Sequence, residues 1–252
     1  MNDALHWNSI ADNYDKEIFN VFQNDKKKKL KKYLSRYASK KTIAIDFGCG
    51  VGKALPLLSP LFKGIIAVDV SKKCIAIAKS SPHKNVVFKQ VDLAGKITNL
   101  PTVDFAFCCN VAMSDNTKRN LRIINNVLNA LNKGGVALFV LPSHESATIS
   151  VLSLIRWHEK EGTGLADIPK EDLALIATQK KKHLKEGILS IDNVPTKHYL
   201  ATELYSLFNT ENFSMQRLDR VEYGWDTEFN SPPAWMQEPY PWDWVIEVKR
   251  IK

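Results

Sequence analysis

At 252 residues, with 44% hydrophobic, 25% charged and 10% aromatic residues, the chain is long enough for one large domain carrying a modest insertion, and its composition excludes a disordered or fibrous protein. The formal net charge of +8 is a mild prior for anionic partners. No apolar run nears membrane-spanning length, the longest lying at 136–141, and the first residues lack the pattern of a secretory signal.

In chain order, the first helical pattern places Leu30, Tyr33, Leu34 and Tyr37 at i, i+3, i+4 and i+7. Lys26–Lys29, Lys31 and Lys32 then fall on the opposite, solvated face. From residue 42 strands and helices alternate. Strands are predicted at 42–47, 64–70, 86–90, 103–109 and 136–141, with helices to about Leu58, over 72–80 and over 116–131. Ser71 caps the second of these helices, and Leu121, Ile124, Leu128 and Leu131 form the apolar stripe of the third, which Gly134-Gly135 ends. Near-continuous apolar strands in repeated strand–helix–strand units predict a doubly wound, mostly parallel α/β sheet covered on both faces.

After Leu141 the alternation stops. Residues 144–197, with Trp157, Pro169, Leu173, Ile176 and Lys180–Lys182, read as a helical insertion over the ligand end of the sheet. A helix from Ala201 to about Asn209 and strands at 215–222 and 244–250 complete seven strands, and the Pro- and Trp-rich loop between the last two needs burial for its aromatic residues. The expected organisation is 1–41 as N-terminal helices, 42–143 as the core, 144–197 as the insertion and 198–252 as the remainder of the sheet. Cys49, Cys74, Cys108 and Cys109 form no Cys-x-x-Cys pair or metal-ligand spacing. Free buried thiols in a cytoplasmic protein are expected, with no metal and no membrane association.

The most informative stretch is AIDFGCGVGKALPLL, residues 44–58. Gly48, Gly50 and Gly52 lie between a strand and a helix, where backbone N–H groups and the helix dipole face a ligand. A dinucleotide fingerprint starting at Gly48 would need glycine where Lys53 stands, and the phosphate loop with Lys-Ser/Thr fails as well. Asp46 would repel phosphate but suits an ammonium group. Asp69, closing the second strand, can accept both hydroxyls of a ribose, and Asp92, after the third, can accept an exocyclic amine. Together they describe an adenosine with a cationic, amino-acid-like tail. A tight turn at the glycines and a helix cap at Asp69 are the plain structural alternatives.

Asp46-x-Gly48-x-Gly50-x-Gly52 with Asp69 and Asp92 resembles the class I S-adenosylmethionine-dependent methyltransferases. WNSIADNYD (7–15) is similar to the helix that closes over the cofactor in small-molecule members, CCNVAMS to the strand-four motif, and WDWVIEVKRI to the last, antiparallel strand. The resemblance implies that Gly48, Cys49 and Gly50 pack on the methionine part of the cofactor and Asp69 binds the ribose. It implies that Val70, Asp92 and Leu93 surround the adenine, that Asn110 and Val111 lie near the methionine amino group and sulfonium, and that Tyr14 reaches the carboxylate. S-adenosylmethionine would leave as S-adenosylhomocysteine.

Displacement at a sulfonium needs alignment more than a catalytic group, so no catalytic residue follows from the fold. His144 and Tyr14 are the candidates for proton transfer; Glu145 also follows the fifth strand at the ligand end of the sheet, His158 lies in the insertion and His198 near its exit. Met113, His144, Trp157 and Trp235 are the candidates for acceptor binding. Many relatives carry a Leu-His-His-like sequence where this chain has Ala112, Met113 and Ser114. The chain also lacks the Asn/Asp-Pro-Pro-Tyr/Phe sequence of amino-methylating nucleic-acid enzymes and a Pro-Cys nucleophile. A small organic acceptor is the leading expectation. The alternatives are an RNA or tRNA methyltransferase using the lysine runs, and a catalytically silent cofactor-binding module.

Overall fold

The computed structural model describes residues 3–97, 99–170, 172, 181–191 and 194–252. Leu173, Ile176 and Lys180 lie outside the described residues. Among the described residues, seven strands form one sheet in the order β3-β2-β1-β4-β5-β9-β8. They are β1 (Ser39–Phe47), β2 (Phe62–Asp69), β3 (Val86–Gln90), β4 (Val103–Cys109), β5 (Leu131–Pro142), β8 (Phe213–Glu222) and β9 (Trp242–Arg250). β9 pairs antiparallel with both β5 and β8, and the other adjacent strands pair parallel.

The strands read as unbroken apolar runs because both faces are covered. On β4, Phe105 and Phe107 point into one layer with Leu34, Leu55 and Leu138, whereas Ala106 and Cys108 point into the other with Ile124, Phe139 and Phe208. The first layer is roofed by α4 (Lys29–Arg36), whose Leu30, Tyr33 and Leu34 are buried as the spacing predicts. The second is roofed by α7 (Thr117–Asn129) and by the helix Ala201–Phe208. Ser71 caps the helix Lys72–Lys79 by accepting from the Cys74 N–H.

Three expectations need correction. Of the predicted stripe Ile124, Leu128 and Leu131 are buried but Leu121 is 44% exposed, and the buried position beside it is Asn120, whose side chain binds both backbone groups of Ser114. Gly134-Gly135 does not end that helix. α7 stops at Asn129, β5 starts at Leu131, and the glycines sit in a bulge where Val103 pairs with Leu131 but Phe105 with Val136. Finally, the insertion is not wholly helical. It holds a 17-residue helix, α8 (His144–Lys160), a short helix Lys181–Glu186, and a hairpin of β6 (Ile188–Ile191) and β7 (Val194–Lys197). Ile188 and Leu189 bury on the body, and the Lys197 N–H donates to Met113 O, tying the hairpin to the loop after β4.

The chain winds outward through β1, β2 and β3 and then returns to place β4 on the other flank of β1. That reversal opens a crevice beyond the carboxyl ends of β1 and β4, where Asp46–Gly52 and Asn110 lie.

Candidate active site

The glycine loop is held from both sides. The N–H groups of Gly48 and Cys49 donate to Val68 O, and Asp69 accepts from the Gly50 N–H at one carboxylate oxygen and from the Ser71 N–H at the other, each at 2.8 Å. Gly48 has φ +75°, and a Cβ there would sit 2.2 Å from Val111 Cγ2. Gly50 has φ +51°, and a Cβ would sit 2.6 Å from Tyr14 Oη. Only glycine allows both the left-handed backbone and these approaches. Gly52 faces Leu55 and Ala78 instead and packs the loop onto the neighbouring helices. Lys53, standing where a dinucleotide loop needs its third glycine, pairs with Asp15 and fastens the N-terminal segment over the loop.

Asp46 ends up buried, 2% exposed, with Oδ2 lacking any hydrogen bond among the described residues. Burial, reinforced by the charge of Asp69, pushes its carboxyl up to about 7. Asp69 is also raised by burial, but its backbone hydrogen bonds pull it back. At the end of β4, Asn110 adopts φ +52° and donates from Nδ2 to Asp243 Oδ2 at 2.9 Å. An ionised carboxylate only accepts, so this contact fixes the amide and leaves Asn110 Oδ1 as a second buried acceptor without a partner. Tyr223 donates to the same Asp243 oxygen at 2.8 Å. Burial raises Asp243, with Asn110 and Tyr223 offsetting part of the shift.

Two connected cavities follow from this arrangement. An inner recess of about 120 Å³ is lined by Asp69, Val70, Leu93, Val111, Arg119 and Ile123. An outer chamber of about 1090 Å³ reaches Asp46, Cys49, His198, Glu228, Trp242 and Asp243. Tyr14, Gly48, Asn110 and Met113 border both, and Gly50 borders the recess. Burial and then the charge of Asp69 raise the Tyr14 phenol, so it stands at the partition as a hydrogen-bond donor and not as a base.

Other predicted residues fall elsewhere. Asp92 lines neither cavity because Arg119 pairs with it at 3.0 Å, and it is Arg119 that borders the recess. His144 starts α8 and packs toward Gly187, outside both cavities. Trp157 packs edge-on against Phe229, and Trp235 is 41% exposed beneath Lys160. Neither borders the chamber. Tyr223, Glu228, Trp242 and Asp243 are the residues sequence reasoning missed. The available signal was WDW at the start of a strand, an acid between two tryptophans.

A family model described as a methyltransferase domain matches residues 19–180, more than half of the chain. The chain belongs to that family. As a class I methyltransferase its methyl donor is S-adenosylmethionine. Solved methyltransferase structures share the fold. A SAM-dependent methyltransferase from Methanosarcina mazei has a TM-score of 0.62 at 19% identity, covering 87% of this chain and 98% of its own. DhpI, in complex with SAM and HEP, has 0.61 at 17%, covering 98% and 96%. The N-methyltransferase NodS from Bradyrhizobium japonicum, bound to S-adenosylhomocysteine, has 0.57 at 13%, covering 100% of both. A search of curated protein sequences finds no match. Among the described residues, no methyltransferase helix is long and apolar enough to cross a membrane, and no three His, Cys, Asp or Glu are grouped to hold a metal.

The methyltransferase site fits its donor chemically. Asp46 Oδ2 and Asn110 Oδ1 are buried acceptors in want of N–H donors, which an ammonium supplies, and Val70, Leu93 and Ile123 give the recess an apolar lining.

Proposed function

We propose that this methyltransferase alkylates a small organic acceptor held in the outer chamber. The observation that carries this reading is the chamber itself. Its volume of about 1090 Å³ lies at the upper end of small-molecule sites, and it opens directly onto Gly48 and Asn110. The donor supplies an activated methyl group on a sulfonium. Asp46 and Asn110 hold the ammonium of its methionine part, Asp69 takes the ribose hydroxyls with its remaining lone pairs, and Val70 and Leu93 cover the adenine. The recess alone is too small, so the donor extends past Tyr14 into the chamber. The protein's contribution to the reaction is to align the acceptor about 3–3.5 Å from the methyl carbon and to exclude water.

The lysine run argues against the nucleic-acid alternative. Lys26 lies over the Tyr240 ring, Lys27 bridges Glu222 and Glu238, and Lys29 binds Asp219, so half of the six-lysine run is committed within the protein. Incubation with methyl-labelled donor and a cell extract split into small-molecule, RNA and protein pools tests the reading. Label in the small-molecule pool is expected, and label confined to RNA or protein rejects it.

A further inference from the structure

Among the ionisable side chains that line the outer chamber, few are placed to take up a proton beside the acceptor. Asp46 is assigned to the donor, Asp243 is held by Asn110 and Tyr223, and His6, Glu17, Asp115 and Glu228 are exposed. His198 differs from these: it lines the chamber and is only 8% exposed. Its placement follows from the chain. The segment from β7 to Tyr199 is extended, so successive side chains alternate in direction. Lys197 and Tyr199 share one side, where Lys197 Nζ binds Glu203 at 2.6 Å and lies 4.5 Å from the Tyr199 ring centroid. Thr196 and His198 take the other side and both line the chamber, whereas Lys197 and Tyr199 do not. The Lys197 N–H donates to Met113 O at 2.8 Å, and Met113 borders both cavities. His198 therefore stands one residue from the anchor at the partition, where donor and acceptor meet.

The ring is also fixed in one tautomer. Its Nδ1 lies 3.0 Å from Thr196 O. A carbonyl only accepts, so Nδ1 carries the hydrogen and Nε2 of the neutral ring presents a lone pair. Nε2 has no hydrogen-bond partner among the described residues. Burial, partly opposed by the Thr196 carbonyl and reinforced by His144 and Lys197, lowers the ring to about 4, so it is neutral at physiological pH. A desolvated acceptor without a partner calls for an O–H or N–H group on the ligand. Proton affinity separates the two. So weak a base leaves an ammonium its proton, but it can take the proton of a hydroxyl while the oxygen is alkylated, because the oxonium forming there is a far stronger acid than an imidazolium.

We propose that the acceptor is a hydroxyl compound whose O–H donates to His198 Nε2, and that His198 receives this proton as the oxygen is methylated. The inference rests on the small-molecule reading above. The oxygen lone pair attacks the methyl carbon, and the carbon–sulfur bond breaks with its electron pair passing to sulfur. The hydroxyl proton passes to Nε2. The products are the O-methyl compound, S-adenosylhomocysteine and an imidazolium that returns its proton to solvent.

The test uses the full chain, methyl-labelled donor and the small-molecule pool of an extract in four forms. The pool is untreated, thiol-blocked with iodoacetamide, then acetylated on amines and hydroxyls with acetic anhydride, then treated with hydroxylamine to free the hydroxyls alone. The first, second and fourth forms should take label alike, and the third should lose at least tenfold. Labelling that survives acetylation, disappears with the thiols or is not restored by hydroxylamine overturns the hydroxyl assignment and leaves the small-molecule reading intact. An untreated pool without label overturns both. His198→Ala, checked for folding by circular dichroism, should keep the affinity for S-adenosylhomocysteine within twofold and label the untreated pool about a hundredfold more slowly. Added imidazole should restore at least tenfold of that loss. An unchanged rate, or a loss that imidazole does not relieve, removes His198 from the proton path; should that variant not fold, His198→Gly gives the same comparison.

Discussion

Replacing Asp46 with Asn separates what this side chain costs the empty fold from what it contributes to donor binding. Its carboxyl, raised from 3.8 to about 7, is fully buried beside Asp69. Because the folded value lies above the unfolded one, its effect on stability is absent below pH 3.8 and becomes a growing penalty as pH rises toward 7. Three units correspond to about 4 kcal/mol, an upper bound on what the ionised group costs the unliganded protein. Asn removes the charge but keeps a buried polar group lacking a partner, which still costs about 1–3 kcal/mol. At pH 8 the unliganded variant should therefore be at least as stable in urea as the parent, and the advantage should vanish near pH 4. Donor binding should move the other way. Loss of a charge-assisted contact to the ammonium, about 1.5–3 kcal/mol, predicts roughly 10- to 150-fold weaker S-adenosylhomocysteine binding by calorimetry at pH 8. In the parent protein that affinity should fall as pH drops through 7, where Asp46 takes up its proton. A variant that is destabilised at pH 8 yet binds S-adenosylhomocysteine unchanged would refute the assignment.

Other substitutions probe the surrounding parts. Gly48→Ala forces a Cβ to within 2.2 Å of Val111 at φ +75° and should cost about 2 kcal/mol or more, read as a lower urea midpoint. Adding Val111→Ala should return part of that loss; an additive pair would show that the contact is not the cause. Asp69→Ala leaves the Gly50 and Ser71 N–H groups without their acceptor and should weaken S-adenosylhomocysteine at least a hundredfold by calorimetry, unchanged affinity removing Asp69 from the donor site. Tyr223→Phe takes one of two donors from Asp243, so the acid rises further and the acidic limb of the rate profile should move to higher pH. A profile that stays in place would exclude Asp243 from the reacting site.

The fold was legible because it rests on local patterns. β3 and β4 lie within the bounds their apolar runs imply, and Ser71 and the α4 stripe do what helix physics requires. Where the sequence misled, a distant partner decided. Leu121 fits the α7 stripe by spacing, but Asn120 has a backbone to bind in the loop after β4. The β6–β7 hairpin was hidden by charged neighbours, its buried pair Ile188 and Leu189 being too short to register as a strand among lysines. The donor side of the site was visible since Asp46, the glycines and Asp69 follow one another at strand ends. The acceptor side was not, because Asp243, which Tyr223 also binds, reaches Asn110 only through sheet pairing across more than a hundred positions. Asp92 illustrates the converse: the right residue at the right place in the chain, with its charge already claimed by Arg119.

The position of β9 between β5 and β8 bears on how the protein matures. A growing chain that has already released β5 and β8 from the ribosome still has an open flank beside β5, with Val140 and Leu141 uncovered. Only when 242–250 slides between them is that flank sealed, and the same insertion delivers Asp243 to Asn110. Closure of the sheet and completion of the catalytic pocket are thus a single event, and a molecule cut short before that segment would present a sticky edge and an unfinished pocket together.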